Sequence, residues 1–239
     1  MRLLVDFLCR LGFGMAAALA VTPAAVVPAG FFRVNLLVVL GLASVAAFLA
    51  WVEVPGTAWL PAAAAAVVAW IGSIAWYAER TTGGMAACRI TAVLLAAVTV
   101  LVQTRPGPVA ASEALIAGLV VGFAMHAMLL GHWYLNAPGM SVAALRAMID
   151  WALAAWGVQL LLSLAAIVLD RPGAVATGGT ATALLSLRWL AGLLGLPVLL
   201  VMSRKTLDIP NTQSATGILY VACLAAILGE LTAQLLHAA

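Results

Sequence analysis

The chain has 239 residues, of which 66% are hydrophobic and 8% charged, with a mean hydropathy of +1.17. A soluble domain is usually about 45–50% apolar and about 25% charged, so an ordinary soluble enzyme and a disordered chain are excluded, and an all-α polytopic membrane bundle is expected. The net charge of +3 is too small for a surface that tracks phosphates, which excludes nucleic acid and leaves the lipid bilayer as the implied partner.

Crossing the hydrocarbon layer takes about 20 mostly apolar residues in a helix. Charge, proline and glycine divide the chain into eight such stretches, at 7–28, 34–52, 58–78, 86–103, 112–135, 147–169, 184–203 and 213–237. Turn chemistry separates them, as in Pro55-Gly56, Gly83-Gly84, Pro106-Gly107, Pro138-Gly139 and Pro172-Gly173. Ala62 to Trp70 and Leu160 to Leu169 do not alternate apolar with polar, as barrel strands would. The whole of 1–239 reads as one integral membrane domain.

The first span has Asp6 and Arg10 near its start. Its Met-Arg opening and the apolar run before Ala24-Ala25 imitate a signal peptide, but the segment reads as a membrane span. Gly30-Phe31-Phe32-Arg33-Val34-Asn35 follows it. Gly131-His132-Trp133-Tyr134-Leu135-Asn136 closes the fifth span in the same pattern of glycine, two rings and a later asparagine. Glu79-Arg80-Thr81 after the third span resembles Arg204-Lys205-Thr206 after the seventh. These repeats suggest two parallel four-helix halves, 1–108 and 109–239. Trp51, Trp59, Trp76, Trp133, Trp151 and Trp189 fall near span ends, where amphipathic rings are favoured. Trp70 and Trp156 fall mid-span and read as packing residues.

An even number of spans puts both termini at one end, with Arg2, Arg10, Arg105 and Arg171. The other end carries Arg33, Arg80, Arg89, Arg146, Arg204 and Lys205. The excess favours that second end as cytoplasmic, which gives non-cytoplasmic termini in a membrane of the prokaryotic inner type.

Polar groups inside spans turn inward because exposing them to lipid is expensive. In the fifth span, Gly118-xxx-Gly122 allows close backbone approach, and His126 lies on the same face near mid-membrane. Gln159 in the sixth span lies at similar depth and is a candidate partner for His126. In the eighth span, Gln213, Thr216, Tyr220, Cys223, Glu230, Gln234 and His237 recur every three or four residues, forming one stripe. Glu230 and Arg188 lie at similar depth on consecutive antiparallel spans, so an ion pair between them is expected. Hydrogen-bonded helix packing is the bland explanation for all of these groups. Asn211 or Thr212 at the start of the eighth span is expected to cap it.

The densest polar cluster in the sequence falls at the end opposite the termini. There His132, Trp133, Tyr134, Asn136 and Asp150 suggest a small-molecule pocket, with Asp150 orienting His132. An apolar slot with aromatic walls and a proton-exchanging group suits a quinone. Haem is disfavoured, because His126 has no second histidine at matching depth. Cys9, Cys88 and Cys223 have no metal or disulfide spacing, and no metal-binding or catalytic motif is apparent, so a stand-alone enzyme is disfavoured.

Three functional expectations follow. The leading one is a membrane subunit of a redox or respiratory-type complex with a quinone-sized pocket. The second is a small-solute or ion/proton transporter or channel, lined by the eighth span, Glu230 and His126. The third is a scaffold or assembly factor. Other membrane subunits, or further copies of this chain, could dock on its lipid-facing surfaces.

Overall fold

The computed structural model describes residues 1–103, 105, 107–137, 139–169, 178–209 and 211–238. Arg171, Pro172-Gly173 and the prolines of the turns at 106, 138 and 210 lie outside the described residues. The described residues form an all-α bundle with eight helices long and apolar enough to cross a membrane. These are α1 (Arg2–Val21), α2 (Ala29–Glu53), α3 (Trp59–Tyr77), α4 (Thr81–Leu101), α5 (Pro108–Asn136) and α6 (Ala143–Val168), then a seventh span in three pieces, and α9 (Thr212–Ala238). The seventh span comprises α7 (Gly179–Leu187), a π-helical stretch (Arg188–Gly195) and α8 (Leu196–Thr206).

The first two helices begin about five residues earlier than expected, for a physical reason. Pro23 carries no N–H to continue α1, so the helix closes with the Thr22 amide donating to Ala18. Pro28 fixes the extended residue before α2, which begins at Ala29 and takes the Gly30-Phe31-Phe32 segment into its first turn. Asp6 and Arg10 therefore lie within α1 rather than at its edge. Eight residues separate Arg10 from the helix start, about 12 Å at 1.5 Å per residue.

Helices α1 and α5 cross at the centre through bare backbone. A Cβ placed on Gly14 would lie 1.9 Å from the Gly118 carbonyl oxygen, and one on Gly122 would lie 2.1 Å from the Gly14 carbonyl carbon. Around this axis α1 packs on α2 and α4, and α3 lies between α2 and α4. Likewise α5 packs on α6 and α9, and the seventh span joins α6 to α9. The two ring motifs meet in the core. Phe31 contacts Trp133 edge-on at 5.6 Å and His126 at 5.2 Å, while Phe32 stacks on Trp76 at 4.2 Å. Trp70, expected to pack internally, is instead exposed on the outer face of α3. Its neighbours inward are alanines, whose small side chains let α2 and α3 close without it.

The seventh span departs from α-geometry because of Pro197. A proline removes one N–H and crowds the carbonyl four residues back, which here belongs to Leu193. That carbonyl instead accepts a hydrogen bond from Trp156 Nε1 at 3.1 Å. The preceding turns widen to π-geometry, a distortion common at functional sites. Gly192 then lies against Gly229 of α9, and a Cβ on Gly229 would sit 2.6 Å from the Gly192 Cα.

Candidate functional site

Polar chemistry gathers around Arg10, at the bundle end where α1 begins and α9 finishes. Arg10 donates from Nε to Asp6 Oδ1 at 3.0 Å and from Nη2 to Asp6 Oδ2 at 2.6 Å, a two-pronged grip one helical turn apart. Its Nη1 donates to Glu230 Oε1 at 2.6 Å, joining α1 to α9. Gln103, just past α4, donates to Asp6 at 2.8 Å and accepts from Arg10 at 3.2 Å. Gln234 donates to Glu230 Oε1 at 2.9 Å from the next turn of α9.

The cluster is deeply set and unevenly satisfied. Glu230 is 2% exposed and Gln234 4%. Glu230 Oε2 and Gln234 Oε1 are buried without a hydrogen-bond partner among the described residues. Two carboxylates share one guanidinium, so the cluster carries one excess negative charge. An unmatched buried acceptor is costly, which makes Glu230 Oε2 a natural acceptor for a proton or a donor ligand.

Three cavities border this cluster. One of about 360 Å³ lies at the termini end, touching Arg2, Asp6, Arg10, Gln103 and Gln234. Arg2 and His237 both border it, so α1 starts and α9 finishes at the same end of the bundle. A second, of about 50 Å³, is bordered by Arg10, Glu113, Gln159, Arg188 and Glu230. A third, of about 10 Å³, continues past Glu230, Arg188 and Gln159 toward Gly192 and Gly229. Glu230 therefore stands at the junction of the inner two.

The expected Glu230–Arg188 pair is not formed. Glu230 takes Arg10 instead, and Arg188 Nη2 donates to Ser163 Oγ of α6 at 3.1 Å. The π-helical turns begin at Arg188 and rotate it away from the register that an unbroken α-helix would give. Both residues nevertheless border the same two inner cavities. The Arg10 network is hidden in the sequence because Asp6 and Arg10 fall at the edge of the first apolar run. Their i, i+4 spacing, with Pro23 as the stop, is the signal that locates them inside α1.

The expected His126–Gln159 contact is also replaced. His126 Nε2 lies 2.8 Å from Thr22 Oγ, whose own hydroxyl donates to Ala18 O at 2.7 Å. The direction of the Thr22–His126 bond follows the imidazole tautomer, and His126 Nδ1 is buried without a hydrogen-bond partner among the described residues. Gln159 borders the inner cavities instead.

At the opposite end, the five residues expected to share a pocket have separate partners. Asp150 binds Arg204 Nε at 2.5 Å, so a guanidinium takes the place expected for His132. His132 is exposed, and its Nδ1 lies 3.2 Å from the Tyr220 hydroxyl. The Trp133 ring turns into the core against Phe31. The Tyr134 hydroxyl donates to the Ser141 carbonyl, and Asn136 reaches back to the His132 carbonyl at 3.4 Å. Asn211 caps α9 by accepting from the Ser214 amide at 3.0 Å. The α9 stripe divides along its length: Thr216, Cys223, Glu230 and Gln234 are buried, whereas Gln213 and Tyr220 are exposed.

No family model, curated protein or solved structure matches this chain.

Proposed function

We propose that the protein is a membrane carrier for a small polar solute, with Glu230 exchanging the coupling proton. The observation that carries this reading is the unpartnered Glu230 Oε2 at the junction of the inner cavities, about 12 Å inside the bundle end. Intramembrane carboxylates that border cavities are the usual sites of proton relay and ion binding. Discontinuous helices at such sites are a recurring feature of carriers, and the π-helical stretch interrupts the seventh span beside Glu230. The redox-subunit reading relies on a shared pocket around His132 and Asp150, and those residues have separate partners. A scaffold would have no use for a buried carboxylate oxygen left without a donor.

The arginine and lysine distribution favours non-cytoplasmic termini, so the wide cavity would open outward. The test is solute-driven proton movement in proteoliposomes with a trapped pH dye, screened over small carboxylates, amines and amino acids. Wild-type protein should give solute-dependent pH changes, His132→Ala should match it, and Glu230→Gln should lose the proton signal. Equal signals from wild type and Glu230→Gln would overturn the proposal. So would copurified quinone whose affinity falls in His132→Ala.

A further inference from the structure

We propose that the space between Arg188 and Glu230 binds a small zwitterion, an α-amino acid no larger than glycine or alanine, with its carboxylate on Arg188 and its ammonium group on Glu230 Oε2. This rests on the carrier reading and gives the same site its substrate class.

Four observations lead there. Arg188 and Glu230 border both inner cavities, yet each has a different partner. Arg188 uses Nη2 on the neutral Ser163 hydroxyl and has no ion pair among the described residues, so most of its five N–H donors remain for a ligand. A planar guanidinium is well shaped to grip a carboxylate in two-pronged fashion. Glu230 Oε2, across the space, has no donor among the described residues.

The charge balance selects a ligand with two poles. Arg105 is paired with Glu113 at 3.0 Å, and Arg10 is shared by Asp6 and Glu230, one formal positive charge against two negative ones. What remains among the described lining is one positive charge on Arg188 and one negative charge on Glu230. A simple anion would leave the excess negative charge at Glu230 Oε2 without a counterpart, and a simple cation would leave Arg188 without one. A zwitterion matches both at no net charge. Gln159 borders both cavities as well, and its amide offers a donor and an acceptor.

Size sets the upper limit. The cavity of about 50 Å³ has room for roughly four water-sized groups at about 10–15 Å³ each. Ala117, Leu162 and Ala166 form apolar walls, which suit a methyl or methylene group and leave no space for a ring.

The experiment is calorimetric titration of the purified full-length protein with glycine, acetate, methylammonium and phenylalanine, each used alone. Glycine should bind, and acetate and methylammonium should bind at least about tenfold more weakly, since each loses one charged contact. Phenylalanine should not bind. Arg188→Gln should weaken glycine binding by about thirtyfold or more, with its melting temperature near that of wild type, and Arg188→Lys should recover part of the loss. Three results would overturn the proposal: no glycine binding at millimolar concentration, acetate binding as tightly as glycine, or glycine affinity unchanged in Arg188→Gln. Because this is a binding measurement, a Glu230-dependent proton signal in proteoliposomes without glycine binding would remove the zwitterion and leave the carrier standing.

Discussion

Arg10 is the residue on which the most contacts converge, and its two carboxylate partners are not equivalent. Asp6 grips it with both oxygens, whereas Glu230 uses one. Removing Arg10 leaves the buried Glu230 and the part-buried Asp6 without a cation. Neutralising Glu230 leaves an intact Asp6–Arg10 pair and relieves the excess negative charge. Arg10→Ala is therefore expected to cost about 3–5 kcal/mol, the usual penalty for orphaning a buried charge. Glu230→Gln keeps an oxygen for Arg10 Nη1 and should cost about 1 kcal/mol or less. Denaturant titration of both variants in the same detergent would check the order, and equal losses would contradict the asymmetry. In the sequence, Glu230, Gln234, Arg188 and Gln159 are already visible as inward-facing polar residues. Which cation Glu230 takes is not visible there, because partner choice depends on helix rotation, and the π-helical turns change that rotation for Arg188.

At the scale of elements, the spans are readable because each needs a long apolar run and prolines mark several of the breaks. Helices α1, α2 and α4 start earlier than their apolar runs indicate, because charged, aromatic or polar residues that suit loops form the first helical turn instead. The glycine pair of α5 is also readable as a contact face, but its partner on α1 is not, since Gly14 has no motif of its own. The structure makes Gly14 the tighter side. A methyl group there meets a carbonyl oxygen that no side-chain rotation can move. Gly14→Ala should therefore destabilise by about 3 kcal/mol, the upper part of the overpacking range. A methyl group placed on Gly157 of α6 would have nothing within 4 Å. Gly157→Ala should be neutral or stabilising by up to about 1 kcal/mol, the glycine-to-alanine helix increment. Thermal unfolding of the two variants side by side would separate close packing from a general effect of glycine replacement.

For the whole molecule, the all-α membrane class follows from composition, while the location of the chemistry does not. Counting polar residues favours the end that carries His132 and Asp150, because loops and helix caps concentrate there. Burial favours the other end, where fewer polar residues reach deeper and border cavities. The central α1–α5 crossing connects the two four-helix rings, and Arg10 and Glu230 bridge one ring to the other near the termini. Motion of one ring against the other would therefore act directly on this ion pair, as a carrier requires.

The most direct test of the account is whether water reaches the cluster from the termini end. In a background lacking Cys9, Cys88 and Cys223, a single Gln234→Cys would be treated in membrane vesicles with a charged, membrane-impermeant thiol reagent. Ile71→Cys on the exposed face of α3 would serve as the lipid-facing control. Position 234 should be modified from the termini side, and position 71 should not be modified. Protection of position 234 from both sides would contradict it.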